Sequence, residues 1–83
     1  MSIIKYPVST EKSIRMMESD NVLVFIVKKT SDKAEIKKEI EEAFKVKVEG
    51  IRTTILPNGR KKAYVKLNRA NPAIDVATHL GMI

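Results

Sequence analysis

The longest apolar run of the 83-residue chain, VLVFIV at 22–27, is hydrophobic at both parities. Val22, Val24 and Ile26 share one face, and Leu23, Phe25 and Val27 the other. Such a β-branched and aromatic run reads as a central strand buried on both sides, so the sheet that holds it must be covered on both faces. After it the period lengthens. In DKAEIKKEIEEAFK, residues 32–45, the apolar positions Ile36, Ile40, Ala43 and Phe44 fall on one helical stripe. Lys37, Lys38, Glu41 and Glu42 lie opposite and read as solvated surface with weak i,i+4 pairing. Thr30, Ser31 and Asp32 are N-cap candidates, and Asp32 with Glu35 forms a capping-box pair.

From Val46 the period is two. Ile51, Thr53 and Ile55 share one face, while Arg52 and Thr54 share the other. A strand begins near Val48, but Val46 and Val48 are out of parity with Ile51, so Gly50 marks either a bulge or the true start of pairing. Pro57-Asn58-Gly59 predicts a tight turn, with Asn-Gly supplying two positive φ values. The return strand KKAYVKLN, residues 61–68, alternates Ala63, Val65 and Leu67 against Lys62, Tyr64, Lys66 and Asn68. Asn71 is placed to cap a last helix with Pro72 at its first position, Asp75 near its positive end and Gly81 as its terminator. At the other end Ile3 and Ile4 form a short strand that Tyr6-Pro7 breaks, and Ser9 or Thr10 caps a helix with Ile14 and Met17 inward. The predicted order is β-α-β-α-β-β-α: an α+β fold, an antiparallel four-stranded sheet with helices on both faces, an α/β/α sandwich. The whole chain, residues 1–83, reads as one domain.

Composition changes this picture in one respect. The 16 Lys and Arg exceed the 10 Asp and Glu, for a net charge of +6. Up to Phe44 the charges balance, eight against eight; beyond it eight cations face only Glu49 and Asp75. The whole excess therefore sits in the second part, which points to a polyanion. A membrane surface fits poorly, because these cations fall in a strand-turn-strand segment and not along one amphipathic helix. The apolar run is too short to span a bilayer, and no signal peptide precedes it. Cysteine is absent, so disulfides and thiolate chemistry are excluded, and a cytoplasmic setting fits.

Catalytic constellations are missing. His79 is the sole histidine and sits near the end of the last helix, where a cation suits the dipole. Glu41 and Glu42 are adjacent in a helix and point about 100° apart, so they do not converge on one bond. Gly50, Gly59 and Gly81 are scattered and make no phosphate loop, which disfavours a small acylphosphate-type hydrolase. Metal-ligand spacing is absent, and no cofactor is called for. An RNA-recognition module with an open aromatic sheet would need more exposed rings than Tyr6, Phe25, Phe44 and Tyr64 supply, and a protein-only adaptor leaves the clustered charge unexplained.

What is present is a basic hairpin. Strand parity puts Arg52 and Thr54 on the same face as Lys62, Tyr64 and Lys66, with Arg60 and Lys61 at the turn. Lysines and arginines meet phosphate oxygens, and a tyrosine ring stacks a splayed base, a pairing suited to structured RNA. Tyr64 has two readings, a packing residue or an RNA contact. Lys5, Lys12 and Arg15 add cations from the first segment. Engagement of six phosphates would give a log-log salt slope of magnitude roughly four to five.

These residues carry a resemblance. YPVSTEKS at 6–13, the apolar strand, the charged helix and VKVEGIRTTILPNGRKKAYVKL at 46–67 resemble the universal large-subunit ribosomal protein family twenty-three over nearly the whole chain. The most specific pieces are the Thr-Glu-Lys triplet at 10–12 after a proline and KKAYV at 61–65 after a β-turn. The resemblance implies a non-enzymatic cytoplasmic protein bound to large-subunit ribosomal RNA beside the exit of the nascent-peptide tunnel. Its implied neighbours are a ribosomal protein of family twenty-nine and the signal recognition particle. By matching positions, Thr10, Lys12, Lys61, Lys62 and Tyr64 would lie at RNA, and Glu11 matches a residue that bacterial members use to dock a nascent-chain chaperone. Bacterial members carry a long basic loop between the last two strands; Leu56-Pro57-Asn58-Gly59-Arg60 is too short to reach into the tunnel, and this looks archaeal.

Overall fold

The computed structural model describes residues 3–80. Seven elements follow in order: β1 (Ile4–Pro7), α1 (Glu11–Asp20), β2 (Val22–Val27), α2 (Lys33–Phe44), β3 (Val48–Ile55), β4 (Lys61–Leu67) and α3 (Ala73–His79). The four strands form one sheet in the order β1-β2-β4-β3, every neighbouring pair antiparallel. The α+β architecture is the one the hydrophobic pattern predicts. Gly81 lies outside the described residues.

All six residues of β2 are buried, as two-sided hydrophobicity requires of an inner strand. Leu23, Phe25 and Val27, with Ala63, Val65 and Leu67 of β4, make the sheet side of the main core. Ile36 and Ile40 of α2 and Ala73, Val76 and Ala77 of α3 complete it. The Phe25 and Phe44 rings stack with centroids 6.2 Å apart, so the end of α2 is fixed over the middle of β2. Ala43, placed by its spacing on the same stripe, is exposed. Helix α1 serves both sides of the sheet: Met17 and Ile14 join the main core, while Met16 lies with Val22 and Val24 on the second face.

Local chemistry explains the element ends. Thr10 caps α1, its hydroxyl accepting from Ser13 N while Ser13 Oγ accepts from Thr10 N. Asp32 and Glu35 form the same reciprocal box at α2. Two sequence expectations are corrected here. Pro7 does not break β1 but ends it, opposite Phe25, and Val8 N continues the pairing to Val24 O at 2.9 Å. An edge strand tolerates proline because its outer side donates to nothing. The turn uses one positive φ, at Gly59 (φ 85), and not two. Gly59 N donates to Leu56 O and Leu56 N to Arg60 O, so Pro57-Asn58-Gly59 is a three-residue loop in which only the last residue is left-handed. The register shift between Val48 and Gly50 settles the parity break in β3 as a bulge.

The last helix departs from expectation by one residue. Ala73 is its first residue and Pro72 the cap, which offers no side-chain hydrogen bond. Asn71 is occupied elsewhere, its Oδ1 accepting from Lys47 N at 2.9 Å. The missing cap comes from Asn21, whose Oδ1 accepts from Ala73 N at 2.6 Å.

Candidate nucleic-acid interface

Antiparallel partners point to the same side of a sheet, so the register fixes which side chains share the second face. One row crosses from Tyr6 through Ile26 and Lys62 to Thr54; the next runs Val24, Tyr64, Arg52; the third runs Val22, Lys66, Gly50. Apolar residues of β2 thus floor one side of this face, and the cations of β3 and β4 line the other. The expected association of Arg52 and Thr54 with Lys62, Tyr64 and Lys66 is what the register gives.

Lys12 and Met16 of α1 face these rows across a groove of about 570 Å³, bordered by Arg52, Tyr64 and Lys66 and by one carboxylate, Asp20. Gly50 belongs to its lining and leaves open space where a Cβ would stand. Lys62 Nζ lies 5.5 Å from the Tyr64 ring centroid, near enough for a cation–π attraction that keeps the ammonium beside the ring. Tyr64 is half-buried, so both readings of it meet here: it packs near Val24 and Met16 and also borders the groove.

The remaining sequence candidates separate into two groups. Lys61 is not on this face. It pairs with Val27 on the core side of β4, and its ammonium donates to Ser31 O. With Lys5 and Arg60 it borders a second recess of about 320 Å³, which also takes in Tyr6 and Lys29. Arg15 and Glu11 stand on the exposed side of α1 and pair with each other at 3.3 Å. Thr10 is not in the lining of the groove but borders a small neighbouring pocket with Lys12, Lys62 and Tyr64, and its hydroxyl oxygen is engaged in the helix cap. Sequence reasoning did not select Tyr6 and Lys29. The signal was there in the lysine pair that closes β2, yet only the fold of β1 against the hairpin loop brings it to Arg60.

Glu41, read as solvated, instead accepts from Val48 N at 3.1 Å. Glu39 accepts from the amides of Ile3 and Ile4, the latter at 2.8 Å. Acidic residues of α2 therefore clip the starts of two strands, and the basic face is left with few carboxylates. Among the described residues no three His, Cys, Asp or Glu are grouped to hold a metal ion, and no helix is long and apolar enough to cross a membrane.

The model of the family described as Ribosomal protein L23 matches residues 2–75. The chain belongs to that family. Membership makes it a structural ribosomal protein and not an enzyme. It is similar to the large ribosomal subunit protein uL23 of the archaeon Methanococcus aeolicus, with 40% identity over 80 residues, 96% of this chain and 93% of the relative. It is also similar to the large ribosomal subunit protein uL23 of Trypanosoma brucei brucei, with 41% identity over 81 residues, 98% of this chain. The chain spans about half of that relative, 49%. The end-to-end match with the archaeal protein agrees with the archaeal look of the short hairpin.

Proposed function

We propose that the chain is one rRNA-binding unit of the large ribosomal subunit in the cytoplasm, seated on large-subunit rRNA through the second face of its sheet. The observation that carries this reading is the register: Arg52, Lys62 and Lys66 project beside Tyr64 from two paired strands, with Lys12 across the groove. A rigid sheet holds these cations at fixed spacing, which positions the protein on folded RNA, and the half-exposed ring adds a stacking surface. The neighbourhood implied by the family resemblance is the exit of the nascent-peptide tunnel, beside a protein of family twenty-nine. There the exposed side of α1, with Glu11, faces the signal recognition particle. A three-residue hairpin loop is too short to line the tunnel.

Ultraviolet crosslinking in ribosome fractions, followed by sequencing of the attached RNA, tests the reading. Recovery of large-subunit rRNA, with adducts on the peptides bearing Arg52 and Tyr64, is the expected result. Adducts confined to small-subunit or messenger RNA would overturn it.

A further inference from the structure

Where β1, the end of β2 and the hairpin loop meet, four cationic side chains line one recess and no carboxylate does. Lys5 lies in the irregular step of β1 between Ile4 and Tyr6, Lys29 follows β2, and Arg60 and Lys61 follow the turn. Like charges gathered in one concave site raise its potential and favour an anion. Arg60 is held in place without being neutralised: Nη1 donates to Tyr6 Oη at 2.7 Å, and its remaining N–H groups keep their capacity for phosphate oxygens. The other residues that line the recess, Tyr6, Ile26, Val27, Asn58 and Gly59, carry no negative charge to compete with an incoming anion. Lys61 forms the rear, one of its three donors spent on Ser31 O.

The second component is aromatic. Tyr6, on the edge strand, is 42% exposed, and it forms a wall of the recess with the Arg60 guanidinium at its edge. An aromatic surface beside a fixed cation cluster matches the two halves of a nucleotide, a π-face and a phosphate. At about 320 Å³ the recess lies at the small end of ligand sites, room for one unit and not for a duplex edge.

We propose that this recess holds a single unstacked RNA nucleotide, its base against the Tyr6 ring and its phosphate among Lys5, Lys29 and Arg60. The proposal rests on the rRNA-binding reading but concerns a subsite separate from the groove at Tyr64.

The test uses the full chain with purified large-subunit rRNA in filter binding, and NMR titration with adenosine monophosphate, ribose 5-phosphate and a hexaglutamate peptide. Tyr6→Ala should weaken rRNA binding about fivefold to a hundredfold, the range for loss of one stacked base, while Tyr6→Phe, which keeps the ring, loses far less. Amides of Tyr6, Arg60 and Lys61 should shift more with adenosine monophosphate than with ribose 5-phosphate. Circular dichroism of each variant confirms folding. Wild-type affinity in Tyr6→Ala, with binding lost in a Lys62→Glu/Lys66→Glu variant, overturns the subsite and leaves the groove standing. Wild-type affinity in both overturns the rRNA reading itself. Shifts at the recess with hexaglutamate alone would make it an acidic-peptide site and overturn the nucleotide.

Discussion

Asn21 Oδ1 accepts the amide of Ala73 at 2.6 Å, joining the end of α1 to the start of α3 across 52 residues of sequence. Its Nδ2 faces the carbonyls of Leu67, Asn68 and Asn71 at 3.1 to 3.2 Å, and its own carbonyl accepts from Leu67 N. The residue also closes α1 in the left-handed conformation, φ 58. One side chain thus replaces the cap that Pro72 lacks and ties the end of β4 to it. Asn21→Ala should cost about 3 kcal/mol, combining a lost cap, uncompensated carbonyls and left-handed strain. Asn21→Gly removes the same hydrogen bonds without the strain and should be milder by about 1 kcal/mol. Urea denaturation of the two variants separates the contributions; equal losses would mean that the backbone conformation contributes nothing.

The two described glycines should respond oppositely to alanine. Gly59 has φ 85, closing the three-residue hairpin loop, so Gly59→Ala should destabilise by about 1 to 2 kcal/mol. Gly50, at the β3 bulge, has no positive φ and nothing within 4 Å of an added Cβ. Gly50→Ala should be neutral or slightly stabilising, because it reduces the freedom of the unfolded chain without straining the folded one. Thermal melts check both; a large loss at Gly50 would show that the bulge depends on glycine.

Much of the fold is readable from local pattern because its signals are local. The two-sided run of β2 is buried throughout, the Asp32–Glu35 box starts α2, and the parity break at Gly50 is a bulge. What pattern cannot reach is the partner of a polar side chain far along the chain. Nothing in the local pattern singles out Asn21 until α3 is brought to it, and Asn71 looks like a cap until Lys47 N takes its oxygen. Lys61 sits one residue from Lys62 and therefore on the opposite face, yet its closeness to the turn hides that parity. Of the interface, the strand rows follow from period two alone. The approach of Lys12 and Met16 to Tyr64 follows only from the packing of α1.

Carboxylates of α2 act on strand ends, and this has a measurable consequence. Glu39 accepts two amides at the start of β1, and Glu41 accepts Val48 N at the start of β3. Glu39→Ala should destabilise by about 2 kcal/mol, as expected for hydrogen bonds to a charged acceptor, and should raise hydrogen exchange in β1. Glu41→Ala should lose about 1 to 2 kcal/mol through Val48. Lys38→Ala, on the exposed side, should stay within about 0.5 kcal/mol. Equal, negligible effects for all three would return the glutamates to simple surface charge.

Salt dependence distinguishes the cations that face the groove from those that do not. Each phosphate contact contributes roughly 0.7 to 0.9 to the log-log slope of RNA affinity against salt. Arg52, Lys62 and Lys66 share the second face, so Arg52→Gln, Lys62→Gln and Lys66→Gln should each lower the slope by about that amount and act together nearly additively in it. Arg15 is fully available by composition but stands on the exposed side of α1, paired with Glu11 at 3.3 Å. Arg15→Gln should leave both affinity and slope for large-subunit rRNA unchanged within experimental error. The pair at Lys62 and Tyr64 adds a subtler effect: Tyr64→Leu keeps an apolar side chain and the net charge, removes the ring beside the ammonium, and should weaken binding at constant slope. A slope that falls with Arg15→Gln and not with Lys66→Gln would move the RNA from the sheet to the outer side of the helix.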